Sequence, residues 1–230
     1  MSMDFNAAPC LAEQIADYLG DLIIRGHLQP GERIQEVKVT KELKVSRGSV
    51  REALLLLERR YLVQNVPRKG AIVATLTHTD IRGLYNLLGC LYALLGRDVV
   101  ETWQTEEDLL PFDALIAEIE AAAFANDSDK LFCLSFGFSN VAKKLVGNTF
   151  LNQTLENLRP VFSRIYYQIV NHDPNELIFI ADFLKKSMQL VRARAADENR
   201  ELVKQYFERQ CQVALSLYPD LGQTDKKIIS

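Results

Sequence analysis

Two stretches decide how the N-terminal third of the chain folds: Arg33-Ile-Gln-Glu-Val-Lys-Val-Thr-Lys-Glu-Leu-Lys-Val-Ser-Arg-Gly-Ser-Val-Arg-Glu-Ala-Leu-Leu-Leu-Leu-Glu58, and shortly after it Tyr61-Leu-Val-Gln-Asn-Val-Pro-Arg-Lys-Gly70. Val37, Val39 and Leu43 predict the apolar side of a short helix, and Val45-Ser46 a turn. Ser46 suits an N-cap, because its hydroxyl can accept from an otherwise orphaned amide one turn on. A second helix is predicted over about residues 47–60, with Val50, Ala53, Leu54 and Leu57 recurring at helical spacing as its buried stripe. Leu62-Val63 and Ala71-Ile72-Val73 predict two short strands around the tip Pro67-Arg68-Lys69-Gly70. Helix, turn, helix and basic hairpin, in that order, are the layout of a winged helix-turn-helix, whose second helix enters a DNA major groove.

The residue types suit that task. Arg47, Gly48, Ser49 and Arg51 lie in the first turns of the second helix, off or beside its apolar stripe. Long cations there reach phosphates or guanine edges, and short side chains allow close approach. Gly48 weakens a helix, which points to clearance as its purpose. Arg68, Lys69 and Gly70 give the hairpin a cationic tip, and Arg33 opens the basic window. From Arg33 to Lys69 there are ten Lys/Arg and four Asp/Glu, against one Arg and five acids in residues 1–32. The basicity is therefore local in a chain whose net charge is −3.

The 230 residues suffice for two modest domains. Cys10, Cys90, Cys133 and Cys211 form no paired motif; a reduced, cytoplasmic protein is expected, with the last three cysteines in the core. The start of the chain lacks the basic and apolar runs of a leader, and no apolar run approaches a bilayer span. A first helix is predicted over residues 10–25, with Leu11, Ile15, Tyr18, Leu19, Leu22 and Ile23 as its apolar side. Gly26 stops it, and Pro30-Gly31 make a turn. A polar joint at 76–80 follows the winged helix, with Thr79 or Asp80 as the next cap. Helices are then predicted at about 80–102, 106–125, 128–146, 149–171, 175–196 and 198–217, with a kink at Pro160. No phosphate loop, nucleophile elbow or metalloprotease motif occurs. The fold expected is mainly α: a winged helix-turn-helix over 1–75, a linker over 76–80, an all-α antiparallel bundle over 81–218 and a polar tail over 219–230.

Residues 11–75 resemble the DNA-binding domain of the GntR family of bacterial regulators. The resemblance rests on Leu11-Ala-Glu-Gln-Ile-Ala, Ile24-Arg-Gly-His-Leu-Gln-Pro-Gly-Glu-Arg-Ile, Val45-Ser-Arg-Gly-Ser-Val-Arg-Glu-Ala-Leu and Pro67-Arg-Lys-Gly. It implies that Arg47 and Arg51 contact bases and phosphates and that Gly70 sits at the wing tip. The chain departs from the pattern at Gly48-Ser49, where Thr-Pro is common, at Tyr61, where a glycine usually ends the helix, and at Val37, where some members carry an arginine. The helical remainder resembles the FCD (FadR-like) effector domain, through its helix number and Phe138-Ser-Asn-Val-Ala-Lys-Lys-Leu-Val-Gly-Asn.

Many FCD domains hold a divalent metal with one Asp and three His. Here Ser135 and Ser139 stand at the first two positions. The stretches matching the other two, near Lys186-Ser187 and Glu208–Gln210, contain no His, and the chain has only His27, His78 and His172. No metal or other cofactor is expected. Ser135, Ser139, Arg164, Tyr166, Tyr167 and Lys186 are the polar candidates for an effector pocket, with Phe132, Phe136 and Phe138 as further lining. The resemblance implies a small organic effector, a carboxylate among the candidates, that shifts DNA binding. It also implies a repressor that meets a palindromic operator in double-stranded DNA as a homodimer, with 80–102 offering surface for pairing. The alternatives from the residues are a helical enzyme and a protein-interaction module whose basic helix meets an acidic partner.

Overall fold

The computed structural model describes residues 10–219. Residues 1–9, and the predicted tail over 219–230 apart from its first residue, lie outside the described residues. The chain divides into two compact units. One holds the described residues up to Thr75 together with Leu158–Arg164; the other holds Leu76–Asn157 and the chain from Ile165 on.

The first unit contains α1 (Leu11–Ile24), α2 (Glu36–Leu43), α3 (Arg47–Arg59), β1 (Val63–Val66) and β2 (Gly70–Val73). α1 buries Ala12, Ile15, Ala16, Leu19, Gly20 and Ile23. Leu11 and Tyr18, predicted on that face, are half-exposed. The small residues are the reason: a Cβ on Gly20 would stand 3.5 Å from both Leu57 and Leu62, so α1 packs on α3 through its slim side. Val37, predicted to be buried, is 47% exposed, and α2 anchors itself through Val39. Lys44 takes a left-handed conformation (φ 55) to end α2. The hydroxyl of Ser46 then accepts the Ser49 amide at 3.1 Å and starts α3. Val50, Ala53, Leu54 and Leu57 are the buried residues of α3, as their spacing predicts.

α3 ends in a Schellman motif. The Leu62 amide donates to the Leu57 carbonyl and the Tyr61 amide to the Glu58 carbonyl, each at 3.0 Å, with Tyr61 left-handed at φ +58. β1 and β2 pair antiparallel, Val63 with Val73 and Val66 with Gly70. The strands run further than predicted, so the turn is only Pro67-Arg68-Lys69, with positive φ at Arg68 and Gly70. The segment 31–34 pairs with the free edge of β2: the Gly31 amide donates to Val73 and the Ile34 amide to Ala71, both at 2.9 Å, and the Val73 amide donates back to Glu32 at 2.8 Å.

The second unit is helical among its described residues. It contains α4 (His78–Thr102), α5 (Glu106–Phe124), α6 (Ser128–Val146), α7 (Thr149–His172, whose Leu158–Arg164 stretch belongs to the first unit), α8 (Pro174–Arg192) and α9 (Ala196–Leu217). The cap of α4 is Thr77, in a capping box with Asp80, so the predicted caps Thr79 and Asp80 already lie inside the helix. α4 lies close along α9 because glycine faces it: a Cβ on Gly89 would meet Phe207 at 3.3 Å, and one on Gly96 would meet Asn199 at 3.2 Å. α8 stops four residues before the predicted end. Arg194 turns left-handed (φ 56), donates to the carbonyls of Val100 and Trp103 at 2.8 and 2.9 Å, and lies over the Trp103 ring. Of the cysteines predicted in the core, Cys211 is buried while Cys90 and Cys133 are exposed. Cys90 sits two residues beyond buried Leu88 on a helix, which turns it to the opposite side.

Candidate nucleic-acid interface and the cluster in the helical bundle

The N-terminal turns of α3 present Ser46, Arg47, Gly48 and Arg51 to solvent, with Ser49 half-buried. Ser46 and Ser49 serve the helix itself, since their hydroxyls lie 2.9 Å apart and Ser46 caps the Ser49 amide. Gly48 differs: its φ is helical, and a Cβ there would meet only the Ser46 hydroxyl, at an ordinary 3.7 Å. Nothing among the described residues requires a glycine at that position. Arg51 donates from Nε to a Glu36 carboxylate oxygen at 2.9 Å, linking α3 to the first residue of α2.

At the hairpin, Arg68, Lys69 and Gly70 are exposed. Arg33 comes to the same place through the backbone: it is bridged to Ile72, and its Nη2 lies 3.9 Å from where a Gly70 Cβ would be. The structure thus groups Arg33 with the wing and Arg47 and Arg51 with the helix. Sequence reasoning missed two residues that fix this surface. Glu36 pairs with Arg51, and Glu58 accepts both the Asn65 backbone amide (3.0 Å) and its side-chain amide (2.8 Å), tying α3 to β1. Each pair reaches from α3 to a different element, so no helical or strand period marks it.

In the bundle, Ser135, Ser139 and Tyr166 are brought together. The Tyr166 hydroxyl donates to Ser135 at 2.9 Å, and Ser135 in turn donates to the Leu131 carbonyl at 2.9 Å. Ser139 bonds the Tyr92 hydroxyl at 3.4 Å, and Tyr92 stacks on Phe207. Phe132 and Phe136 pack against Tyr166. Burial holds the phenols of Tyr85, Tyr166 and Tyr206 well above the usual tyrosine range, so all three are neutral at ordinary pH.

The other predicted residues lie elsewhere. Arg164 is buried in the first unit, where its guanidinium donates to the Ala74 carbonyl at 2.6 Å. Tyr167 bonds Asp129 at 3.0 Å toward the start of α6, and Lys186 is exposed on α8. Phe138 packs edge-on against Phe112 instead of joining the tyrosines.

The residues at the metal-ligand positions do not fit a metal. Ser135 and Ser139 are engaged with phenols, Ser187 donates to Asn199 at 2.7 Å, and Gln210 donates to Glu176 at 3.2 Å. Hydroxyls and amides are poor donors for such an ion. Among the described residues, no group of three or more His, Cys, Asp or Glu could hold a metal. The charge near the cluster is a pair: Glu176, buried, takes a bidentate grip from Arg209 at 2.6 Å on each oxygen, and Arg209 lies over Phe179. That pair bridges α8 and α9 and had no signature in the sequence. No helix among the described residues is long and apolar enough to cross a membrane.

Residues 11–73 match the profile described as "Bacterial regulatory proteins, gntR family". YdhC of Bacillus subtilis, described as an uncharacterized HTH-type transcriptional regulator, is 26% identical over 204 residues, spanning 86% of this chain and 88% of the relative. The HTH-type transcriptional repressor RspR of Escherichia coli is 24% identical over 177 residues, spanning 75% of this chain and 76% of the relative. Among solved structures, E. coli McbR/YncC shares the fold with a TM-score of 0.74 at 18% identity, covering 92% of this chain and 100% of that one.

Proposed function

We propose, from the premise that the N-terminal domain belongs to the gntR family of bacterial regulators, that this DNA-binding transcriptional regulator represses its target as a homodimer on a palindromic operator and answers to a small organic effector. The chain is a regulator, not an enzyme. Residues 1–75 read the operator, and the helical residues 81–218 pair the two copies and sense the effector. It works in the cytoplasm, where its DNA is. One recognition helix spans too few base pairs for useful specificity, and a two-fold protein doubles the site. The name of RspR, a repressor, supports the direction of regulation.

The observation that carries the reading is the start of α3. Arg47 and Arg51 are exposed around a glycine whose smallness serves no packing among the described residues. An outside surface that approaches closely explains it. Arg33, Arg68, Lys69 and Gly70 supply the wing contacts, and Ser46 and Ser49 hold the helix start near the backbone. In the bundle, Ser139 with Tyr92 and the Ser135–Tyr166 pair is the favoured effector contact. Its surroundings are aromatic, which supports an uncharged or weakly polar effector over a free carboxylate.

Gel-shift titration against the native upstream region tests the DNA reading. Arg47→Ala weakens operator binding by about 1–3 kcal/mol if the side chain makes a bidentate base contact. Wild-type protein that binds the upstream region no better than random DNA refutes it. Sedimentation reports the dimer, and a thermal-shift screen of neutral and acidic organic compounds, with and without chelator, reports the effector and its independence of metal.

A further inference from the structure

Arg51 and Glu36 make an ion pair whose placement is hard to explain by stability. The side chains are 68% and 35% exposed, and a pair so open to water contributes little to folding. Its position has a cost for function, because a carboxylate beside a DNA-reading arginine repels phosphates. The geometry offers a return. Arginine presents five N–H groups in a rigid planar fork. Glu36 occupies the Nε edge, at 2.9 Å, so the end-on pair of Nη groups is not what holds the carboxylate and remains for another acceptor. That end matches the O6 and N7 acceptors of a guanine in the major groove. A phosphate accepts from any part of the fork and needs no such aim.

Resting on the reading that α3 enters the major groove, we infer that Glu36 is a positioning residue which aims Arg51 end-on at one guanine in each half-site. The long arginine side chain is then ordered before DNA arrives, and its rotamer freedom is not lost on binding.

The test uses the full-length protein and operator duplexes in which guanines are replaced one at a time by 7-deazaguanine, which lacks the N7 acceptor. One position per half-site should weaken wild-type binding by about ten-fold, within the range for losing half of a bidentate pair, and have no further effect on Arg51→Ala. Glu36→Ala and Glu36→Gln then separate aim from charge. Charge alone predicts that removing the carboxylate tightens binding to every DNA. Positioning predicts weaker operator binding, by about three- to ten-fold, together with tighter binding to random DNA, with Gln milder than Ala because its carbonyl still accepts from Nε. In an Arg51→Ala background the operator penalty disappears. Tighter binding of Glu36→Ala to operator and random DNA alike overturns the inference, as does a penalty that persists without Arg51, while wild-type specificity in the same assay shows that the DNA reading stands. Unchanged thermal unfolding of the Glu36 variants shows that the helices are intact.

Discussion

Tyr61→Gly should make the winged domain more stable. Tyr61 occupies the C′ position of the Schellman motif with φ +58 and is 58% exposed. A side chain in the left-handed region costs about 1–2 kcal/mol through the clash of Cβ with the following carbonyl. Glycine avoids that cost but surrenders about 0.5–1 kcal/mol of chain entropy on folding. The exposed ring adds little packing to offset the difference, so the net gain is about 0.5–1 kcal/mol. Tryptophan emission cannot report it, because the only tryptophan, Trp103, belongs to the second unit. Amide exchange can. The Arg60, Tyr61 and Leu62 amides all donate within this cap, to Leu56, Glu58 and Leu57, and their exchange should slow by about two- to five-fold in the variant. Equal or faster exchange would mean that the tyrosine ring contributes packing greater than its backbone strain, and the strain argument would be wrong.

Gly48→Ala should leave the fold as stable or up to about 1 kcal/mol more stable, since the new Cβ meets only the Ser46 hydroxyl, while operator affinity falls about three- to ten-fold in gel shifts. Glu176→Ala should destabilise the bundle by about 2 kcal/mol in urea titrations followed by Trp103 emission, because Arg209 and Gln210 both lose the acceptor they share; the partial exposure of Arg209 keeps the cost below that of a fully buried pair. Bundle stability should fall as pH rises past about 10, because the folded phenols of Tyr85, Tyr166 and Tyr206 hold protons that the unfolded chain releases, and the raised thiol of Cys211 should start the decline slightly earlier. In an absorbance titration, the phenols of Tyr85, Tyr166 and Tyr206 should stay un-ionised until the bundle opens.

What the sequence revealed depended on how local the cause was. The stripe of α3 and its Ser46 cap were legible because each is written within a few residues. Leu11 and Tyr18 fall outside the buried face although they are large and apolar, because the α1–α3 contact selects the slim side, Ala12, Ala16 and Gly20. The end of α8 escaped because Arg194 is held by Val100, Trp103 and the indole face, all about ninety residues earlier. The same limit applies to the site. The cations of the helix start and wing could be named from the sequence, but Glu36 beside Arg51 and Glu58 beside Asn65 could not. In the bundle, Ser135 meets Tyr166 and Ser139 meets Tyr92, while Arg164 is buried in the first unit against the Ala74 carbonyl and Lys186 is exposed on α8, placements that no periodicity encodes.

Leu62 receives little notice as a single buried leucine, yet its backbone joins recognition helix to wing. Its amide is held by Leu57 of α3 and its carbonyl by the Ala74 amide just beyond β2, while Glu58 and Asn65 clamp the same junction from the side. The helix start and the hairpin tip are therefore parts of one preorganised body. DNA does not have to freeze their mutual angle, so the free energy of association is not spent on aligning them. A lost wing contact should then appear mainly as faster dissociation with little change in the rate of encounter.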